Sequence, residues 1–286
     1  MKTIKKILAP TDFSDRATRA LKYAISLAHA TEAKLFILHA YRMPSGATGT
    51  PYPMTGLYVD VVANQELIEK EVQQSFDEIE DIHLKDKKVQ YEFIATCAFP
   101  EDAIEEAVEE KEIDLVVMGN RGESKLEKLL GSTTTHIMRR TSCPVLAIPE
   151  DAVFAKVDTI LLATDYRQVD RANIFEGLLS LANAFHAQVD VLHVSPSEEL
   201  LGADKLIVGN SLDRTLRAVP HTYHHQKAED VLEGLQTYLE KHHEVGILAM
   251  MPRDHNIWER LTQGSVTKQV VFEADRPVLV FHRSRT

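Results

Sequence analysis

The chain has 286 residues, 44% of them hydrophobic and 26% charged, and a formal net charge of −11. That length fits two domains of ordinary size, each with a core of its own, and the acidic balance argues against a protein whose main work is neutralising nucleic-acid phosphates. Cys97 and Cys143 are the only cysteines and share no CxxC spacing, which argues against a disulfide framework or a thiolate metal cage.

The opening Met1-Lys2-Thr3-Ile4-Lys5-Lys6 is basic but meets Pro10 and Asp12 after a few apolar residues, so it lacks the apolar core of a signal peptide. No apolar run approaches the roughly 20 residues that span a bilayer, and a cytoplasmic protein without a membrane partner is expected. Ile4 to Ala9 is a short β-rich run ending at Pro10-Thr11-Asp12, which predicts a strand leading into a loop. Ser14 offers an N-cap, and Ala17, Ala20, Leu21, Ala24, Ile25 and Ala28 recur at helical spacing. Lys34 to Ala40 is nearly continuous in apolar character, as in a strand covered on both faces of a parallel sheet.

Arg42 to Gly56, rich in Pro and Gly, predicts an irregular loop, and helical periodicity returns over Val62 to Ile82. Val89 to Ala95 predicts a third strand, and Pro100 starts a helix through Ile104, Ala107 and Val108. Ile113 to Met118 is a fourth strand running into Gly119-Asn120-Arg121-Gly122, followed by a helix from Ser132 to Arg140 and a fifth strand over Val145 to Ile148. Alternating strands and helices of these lengths predict a doubly wound α/β unit with a five-stranded parallel sheet.

The chain then repeats itself. Ile7-Leu8-Ala9-Pro10-Thr11-Asp12-Phe13 returns as Ile160-Leu161-Leu162-Ala163-Thr164-Asp165-Tyr166, and Gly131-Ser132-Thr133 with Pro144-Val145-Leu146 returns as Gly264-Ser265-Val266 with Pro277-Val278-Leu279. Self-similarity on this scale predicts two copies of one domain, over 1–150 and 151–286. The second copy is trimmed after His193, where Pro196 to Leu216 is too short for both a long loop and a full second helix. It also has Met251 and Asp254 where the first copy has Gly119 and Gly122, so a small-molecule site is expected in the first copy only.

In an open α/β sheet, ligands bind beyond the carboxyl ends of the strands where the strand order reverses. Asp12 ends the first strand and Gly119 the fourth, with Thr11 and Met118 beside them, and these strands flank that crevice if the sheet winds outward from its first strand. Gly119 and Gly122 let backbone approach a ligand closely, and Gly131-Ser132-Thr133 sets free N–H groups and two hydroxyls at a helix start, suited to phosphate. An adenine nucleotide satisfies this arrangement: Asp12 would face the sugar or base, and Ala40 would offer backbone to the base. Each element alone has a plainer reading: Asp12 as a turn residue, the glycines as a tight turn, Gly-Ser as an ordinary helix entry.

Pro10-Thr11-Asp12-Phe13-Ser14, Leu38-His39-Ala40, Met118-Gly119-Asn120-Arg121-Gly122, Leu130-Gly131-Ser132-Thr133 and Cys143-Pro144-Val145 together resemble the universal stress protein family. The second half resembles it more weakly, which makes the chain similar to a tandem member. The resemblance implies two doubly wound, five-stranded domains of the adenine nucleotide alpha hydrolase-like fold, related by a pseudo-twofold axis. It also implies a non-catalytic stress-response regulator that binds ATP or AMP, with or without Mg2+, through Thr11, Asp12, Ala40, Met118, Gly119, Gly122, Gly131, Ser132 and Thr133. Two departures stand out: Glu123 to Leu130 is one residue shorter than the family spacing between these glycines, and Ala98-Phe99-Pro100 stands where many members have Gly-x-Pro.

No nucleophile and base emerge at useful spacing, and neither a His-x-Gly-His motif nor a Ser-Gly-Gly loop follows the first strand. No catalytic residue is assigned; slow ATP hydrolysis and a ligand-free interaction scaffold are the alternatives. Last strands pair between single-domain family members, so Val145 to Ile148 and Val278 to Phe281 are expected to pair within the chain as an intramolecular pseudo-dimer. A homodimer is a further option, and no motif names a protein partner. His221, His224 and His225 in the second copy read as a hydrogen-bonded edge more simply than as a metal site. His242 and His243 suit a helix end. Lys125, Lys128, Arg139 and Arg140, interspersed with Glu123 and Glu127, read as a solvated helix face more simply than as a basic rim.

Overall fold

A computed structural model describes residues 3–42, 54–120, 132–141, 143–164, 175–196, 212–250, 270 and 275–281. Among the described residues ten strands form one sheet: β1 (Lys6–Pro10), β2 (Lys34–Tyr41), β3 (Tyr91–Cys97), β4 (Leu115–Gly119), β5 (Val145–Ile148), β6 (Thr159–Ala163), β7 (Gln188–Ser195), β8 (His221–Lys227), β9 (Val245–Met250) and β10 (Val278–Val280). The helices that cover it are α1 (Asp15–Thr31), α2 (Met54–Ile79, continued by a π-helical turn over Glu80–Leu84), α3 (Pro100–Glu110), α4 (Ser132–Arg140), α5 (Glu176–Phe185) and α6 (Val231–Leu239).

The strand order is β3-β2-β1-β4-β5-β10-β9-β6-β7-β8. Read outward from the middle, each half gives the same sequence of parallel strands, and the halves meet in the antiparallel pair β5–β10, with Leu279 opposite Leu146. The expected pairing of the two last strands is thus present, and each satisfies an edge the other half would otherwise leave open. Val278, Leu279 and Val280 are fully buried, as are Val145, Leu146 and Ala147.

Both faces of the sheet are covered, which is why the inner strands read as unbroken apolar runs. On one face Ile7, Ala9, Leu35 and Ile37 pack under α1 and α2, and the same cluster runs through Leu146 and Leu279 to Ile160, Leu162 and α5. On the other, Leu8, Leu38, Val116 and Met118 pack under α3 and α4, continuing through Val145 and Val278 to Leu161, Leu192 and α6. Tyr23 of α1 meets Phe154 edge-on at 5.1 Å, and Phe154 meets Phe185 of α5 at 6.0 Å, so helices of the two halves are also bridged. Gly177 of α5 lets the second half approach the first closely: a Cβ there would stand 3.0 Å from Pro144 Cγ.

Two elements differ from expectation. α2 begins at Met54, not near Val62, and accommodates Gly56 inside the helix. β3 is displaced toward Cys97 because its register with β2, Leu35 opposite Tyr91 through Tyr41 opposite Cys97, decides where this edge strand lies. The expected loop at 42–56 falls largely on 43–53, outside the described residues, as does most of Pro196 to Leu216. In the second half a cavity of about 420 Å³ lies between α6 and the chain before β10, lined by Leu232, Leu235, Leu239, Leu248 and Val270. No helix among the described residues is long and apolar enough to cross a membrane.

Candidate nucleotide site

β1 lies between β2 and β4, with Leu8 opposite Val116, so the first and fourth strands end side by side where the chain's winding reverses. The turn leaving β1 is held at every residue. Thr11 N–H donates to Leu38 O at 2.8 Å, and its buried hydroxyl accepts from Phe13 N at 3.0 Å. Asp12 is exposed, and its Oδ1 accepts from both Ser14 N at 3.0 Å and Ser14 Oγ at 2.6 Å. Ser14 caps α1 as its position suggests, accepting from Ala17 N at 3.2 Å.

Phe13 adopts φ 62°, a left-handed conformation costly for a side chain of this size. What holds it there is His39, at the end of β2. The His39 ring stacks on Phe13 at 4.3 Å, and its Nδ1 lies 2.8 Å from Thr11 O; a carbonyl only accepts, so Nδ1 is the donor. Phe76 from α2 also packs on Phe13, the two rings nearly perpendicular with centroids 5.6 Å apart.

The tip of β4 is tied to the start of α4. Thr134 Oγ1 donates to Gly119 O at 3.0 Å, so the first turn of α4 sits at the carboxyl end of β4, and Asn120 N donates to Ile148 O at 3.0 Å. α4 carries no acidic residue in its first turn, which leaves its N-terminal dipole unopposed by its own side chains. Thr133 faces α3, where its Oγ1 donates to Glu101 Oε1 at 3.0 Å. Met118 is buried under α4, and Ala40, opposite Thr96 on β3, is half-buried against the same cluster. Among the expected site residues, Thr11, Asp12, Ala40, Met118, Gly119, the backbone of Ser132 and Thr133 therefore lie along one end of the sheet. Gly122, Gly131, Lys125 and Lys128 lie outside the described residues.

His39, Phe13 and Glu101 are the site-shaping residues that pattern reading did not single out. The signal for His39 was present as a repetition: Leu38-His39 recurs as Leu192-His193, and the structure repeats the contact, with His193 Nδ1 3.0 Å from Thr164 O and Thr164 N donating to Leu192 O at 3.0 Å. Asp165, Met251, Asp254, Gly264 and Ser265 of that half lie outside the described residues.

His221, His224, His225 and His242 are engaged with protein groups. His221 Nδ1 donates to Val219 O and its Nε2 meets Asp213 Oδ1, each at 3.0 Å; burial opposes its charge, but these acceptors outweigh burial and raise its pKa. His224 Nε2 lies 3.5 Å from Asp190 Oδ1, and His225 Nε2 lies 2.8 Å from Ser195 Oγ. His242 stacks on Tyr238 at 4.0 Å and pairs with Glu244. Among the described residues no group of three His, Cys, Asp or Glu is placed to hold a metal ion.

An open, doubly wound sheet with a helix start closing over its switch point defines the class of α/β proteins that take ligands at the carboxyl edge of the sheet. The universal stress protein family model matches residues 3–149, and the chain belongs to that family. Over half of the chain, universal stress protein YxiE of Bacillus subtilis is 32% identical, with 97% of its own length covered. A universal stress protein of Methanocaldococcus jannaschii is 30% identical over the same share, with 81% of its length covered. A universal stress protein structure from Archaeoglobus fulgidus superposes on 98% of this chain and 97% of its own with TM-score 0.66 at 20% identity, so the fold is shared along the whole length.

Proposed function

We propose that the chain is a universal stress protein that binds ATP or AMP, with or without Mg2+, in the crevice of its first half and acts through interaction and not turnover. In this reading 1–150 is the nucleotide domain, and 151–286 is a degenerate copy of the same family that serves as structure. The setting is the cytoplasm. The observation that carries the reading is the Thr134–Gly119 bond, 3.0 Å long, which brings the N-terminal turn of a nine-residue helix to the tip of β4 beside the Asp12 turn. Phosphate is the natural ligand of such a helix start. When bound, the nucleotide supplies the negative charge that the α4 amides face. The chain's residues bind and orient it: backbone at Ala40 toward the base, the Asp12 carboxylate toward the sugar or base, and α4 toward the phosphates.

Calorimetry with ATP, ADP and AMP on the intact chain and on Gly131→Asp tests this. Binding by the wild type and its loss in the variant support the pocket; binding that survives the substitution removes it. A steady-state phosphate-release assay separates a sensor from a slow ATPase. One observation favours a ligand-free scaffold: Asp12 Oδ1 and the Thr133 hydroxyl already have protein partners in Ser14 and Glu101. A wild-type chain that gives no heat with any adenine nucleotide would establish that second reading.

A further inference from the structure

Phe99 is 56% exposed, at the N-cap of α3 on the same edge of the sheet as Asp12 and Gly119. A single exposed aromatic ring is ordinary. This one has a cation on it: the Arg42 guanidinium, one residue beyond β2, stands 5.0 Å from the ring centroid. Tyr41 and Cys97 are opposite one another in the β2–β3 ladder, so Arg42 and Phe99 are where those strands leave the sheet, just beyond Ala40. Ala40 and Ala98 both pack on the α3 and α4 side.

The first turn of α3 also reaches the proposed phosphate end. Glu101, two residues after Phe99, accepts from Thr133 in the first turn of α4. A ligand with its phosphates at α4 and its base at Ala40 therefore passes the N-terminus of α3, where Phe99 stands. An arginine-backed aromatic ring is a surface on which bases stack without need of hydrogen-bond readout. The ring lies outside both core clusters, so packing of the core does not account for it.

Resting on the nucleotide reading above, we propose that Phe99, backed by Arg42, is the platform on which the base of the bound nucleotide stacks, and that it favours purines over the smaller pyrimidines. Phe99→Ala should weaken ATP binding by about tenfold or more and leave the thermal transition unchanged, since the ring is exposed. Wild type should bind ATP more tightly than UTP, and the substitution should narrow that gap. Phe99→Trp should keep ATP affinity and report it directly, as quenching of the new indole on titration. If Phe99→Ala binds ATP as wild type does while Gly131→Asp does not, the pocket stands and the platform is refuted. Equal wild-type affinity for ATP and UTP overturns the purine preference. If wild type binds neither, the nucleotide reading fails and takes the platform with it.

Discussion

His39→Ala tests whether the Asp12 turn is held in a strained form for a purpose. The side chain contributes one hydrogen bond to Thr11 O at 2.8 Å and a stack on Phe13 at 4.3 Å. The first is worth about 1 kcal/mol net and the second about 1 kcal/mol, so the variant should lose at most roughly 2 kcal/mol and, in one transition of the whole chain, melt up to roughly 3 °C lower. Phe13 at φ 62° stores a strain of about 1 to 3 kcal/mol. Without His39 the turn should relax, the fraction of chains with Asp12 in place should fall, and apparent nucleotide affinity should drop roughly tenfold. His193→Ala is the control, because it removes the matching contact to Thr164 O at 3.0 Å in the other half. It should also lower the melting temperature, by about half as much, and leave nucleotide binding unchanged. Differential scanning calorimetry and titration calorimetry read the two quantities separately. The reasoning is refuted if His39→Ala binds nucleotide as tightly as wild type, or if His193→Ala weakens binding equally.

Three further outcomes follow from packing and charge. Gly234→Ala should lower the melting temperature although alanine is the better helix former by about 1 kcal/mol: an added Cβ in α6 would overlap the stiff, β-branched Val194, and overpacking costs about 1 to 3 kcal/mol. Burial works against the Asp190 carboxylate, but hydrogen bonds from Thr222 and Gln188 and the neighbouring His224 prevail and hold its pKa below the ordinary value. Its contribution is therefore fully present above the unfolded carboxylate pKa near 3.9 and is lost as pH falls through the lower folded value. Asp190→Asn should flatten acid unfolding below about pH 4 and cost stability at pH 7 in urea titrations at fixed pH. Leu279→Ala, at a fully buried position opposite Leu146, should cost about 2 to 5 kcal/mol and lower one common transition for both halves; two resolved transitions would contradict the continuity of the cores through β5 and β10.

Much of the architecture was legible because the inner strands are covered on both faces: Lys34 to Ala40 and Ile113 to Met118 are nearly unbroken apolar runs. The pairing of the last strands could be expected because Pro144-Val145-Leu146 and Pro277-Val278-Leu279 are near copies that would each leave an edge open. The bounds of β3, though not its presence, escape the sequence because an edge strand with half-buried residues carries weak periodicity, and its ends follow from register with β2. In the site, Asp12 and Gly119 were marked by residue type. His39 and Phe13 were not, because their importance lies in a contact between strand ends far apart in sequence and in a backbone angle that no composition announces. Glu101 was hidden for a similar reason: acidic residues at the start of a helix are common, and only the packing of α3 on α4 shows that this one reaches Thr133.

The antiparallel junction limits how one half can act on the other. Since β5 and β10 run in opposite directions, the carboxyl ends of the two sets of parallel strands lie on opposite edges of the sheet. A ligand beside Asp12 and Gly119 cannot touch the matching edge near Thr164. Any influence on the second half has to cross the structure itself, and two short routes begin at the site. Asn120 N bonds to Ile148 O at the end of β5, the strand that pairs with β10. α1, which starts at the Asp12 turn, reaches Glu150 through Arg19 Nη2 at 2.9 Å. The second is a half-exposed ion pair worth at most about 1 kcal/mol, whereas the first belongs to a ladder buried on both faces. Coupling between the halves should therefore survive high salt and be weakened by substitutions at the β5–β10 pair.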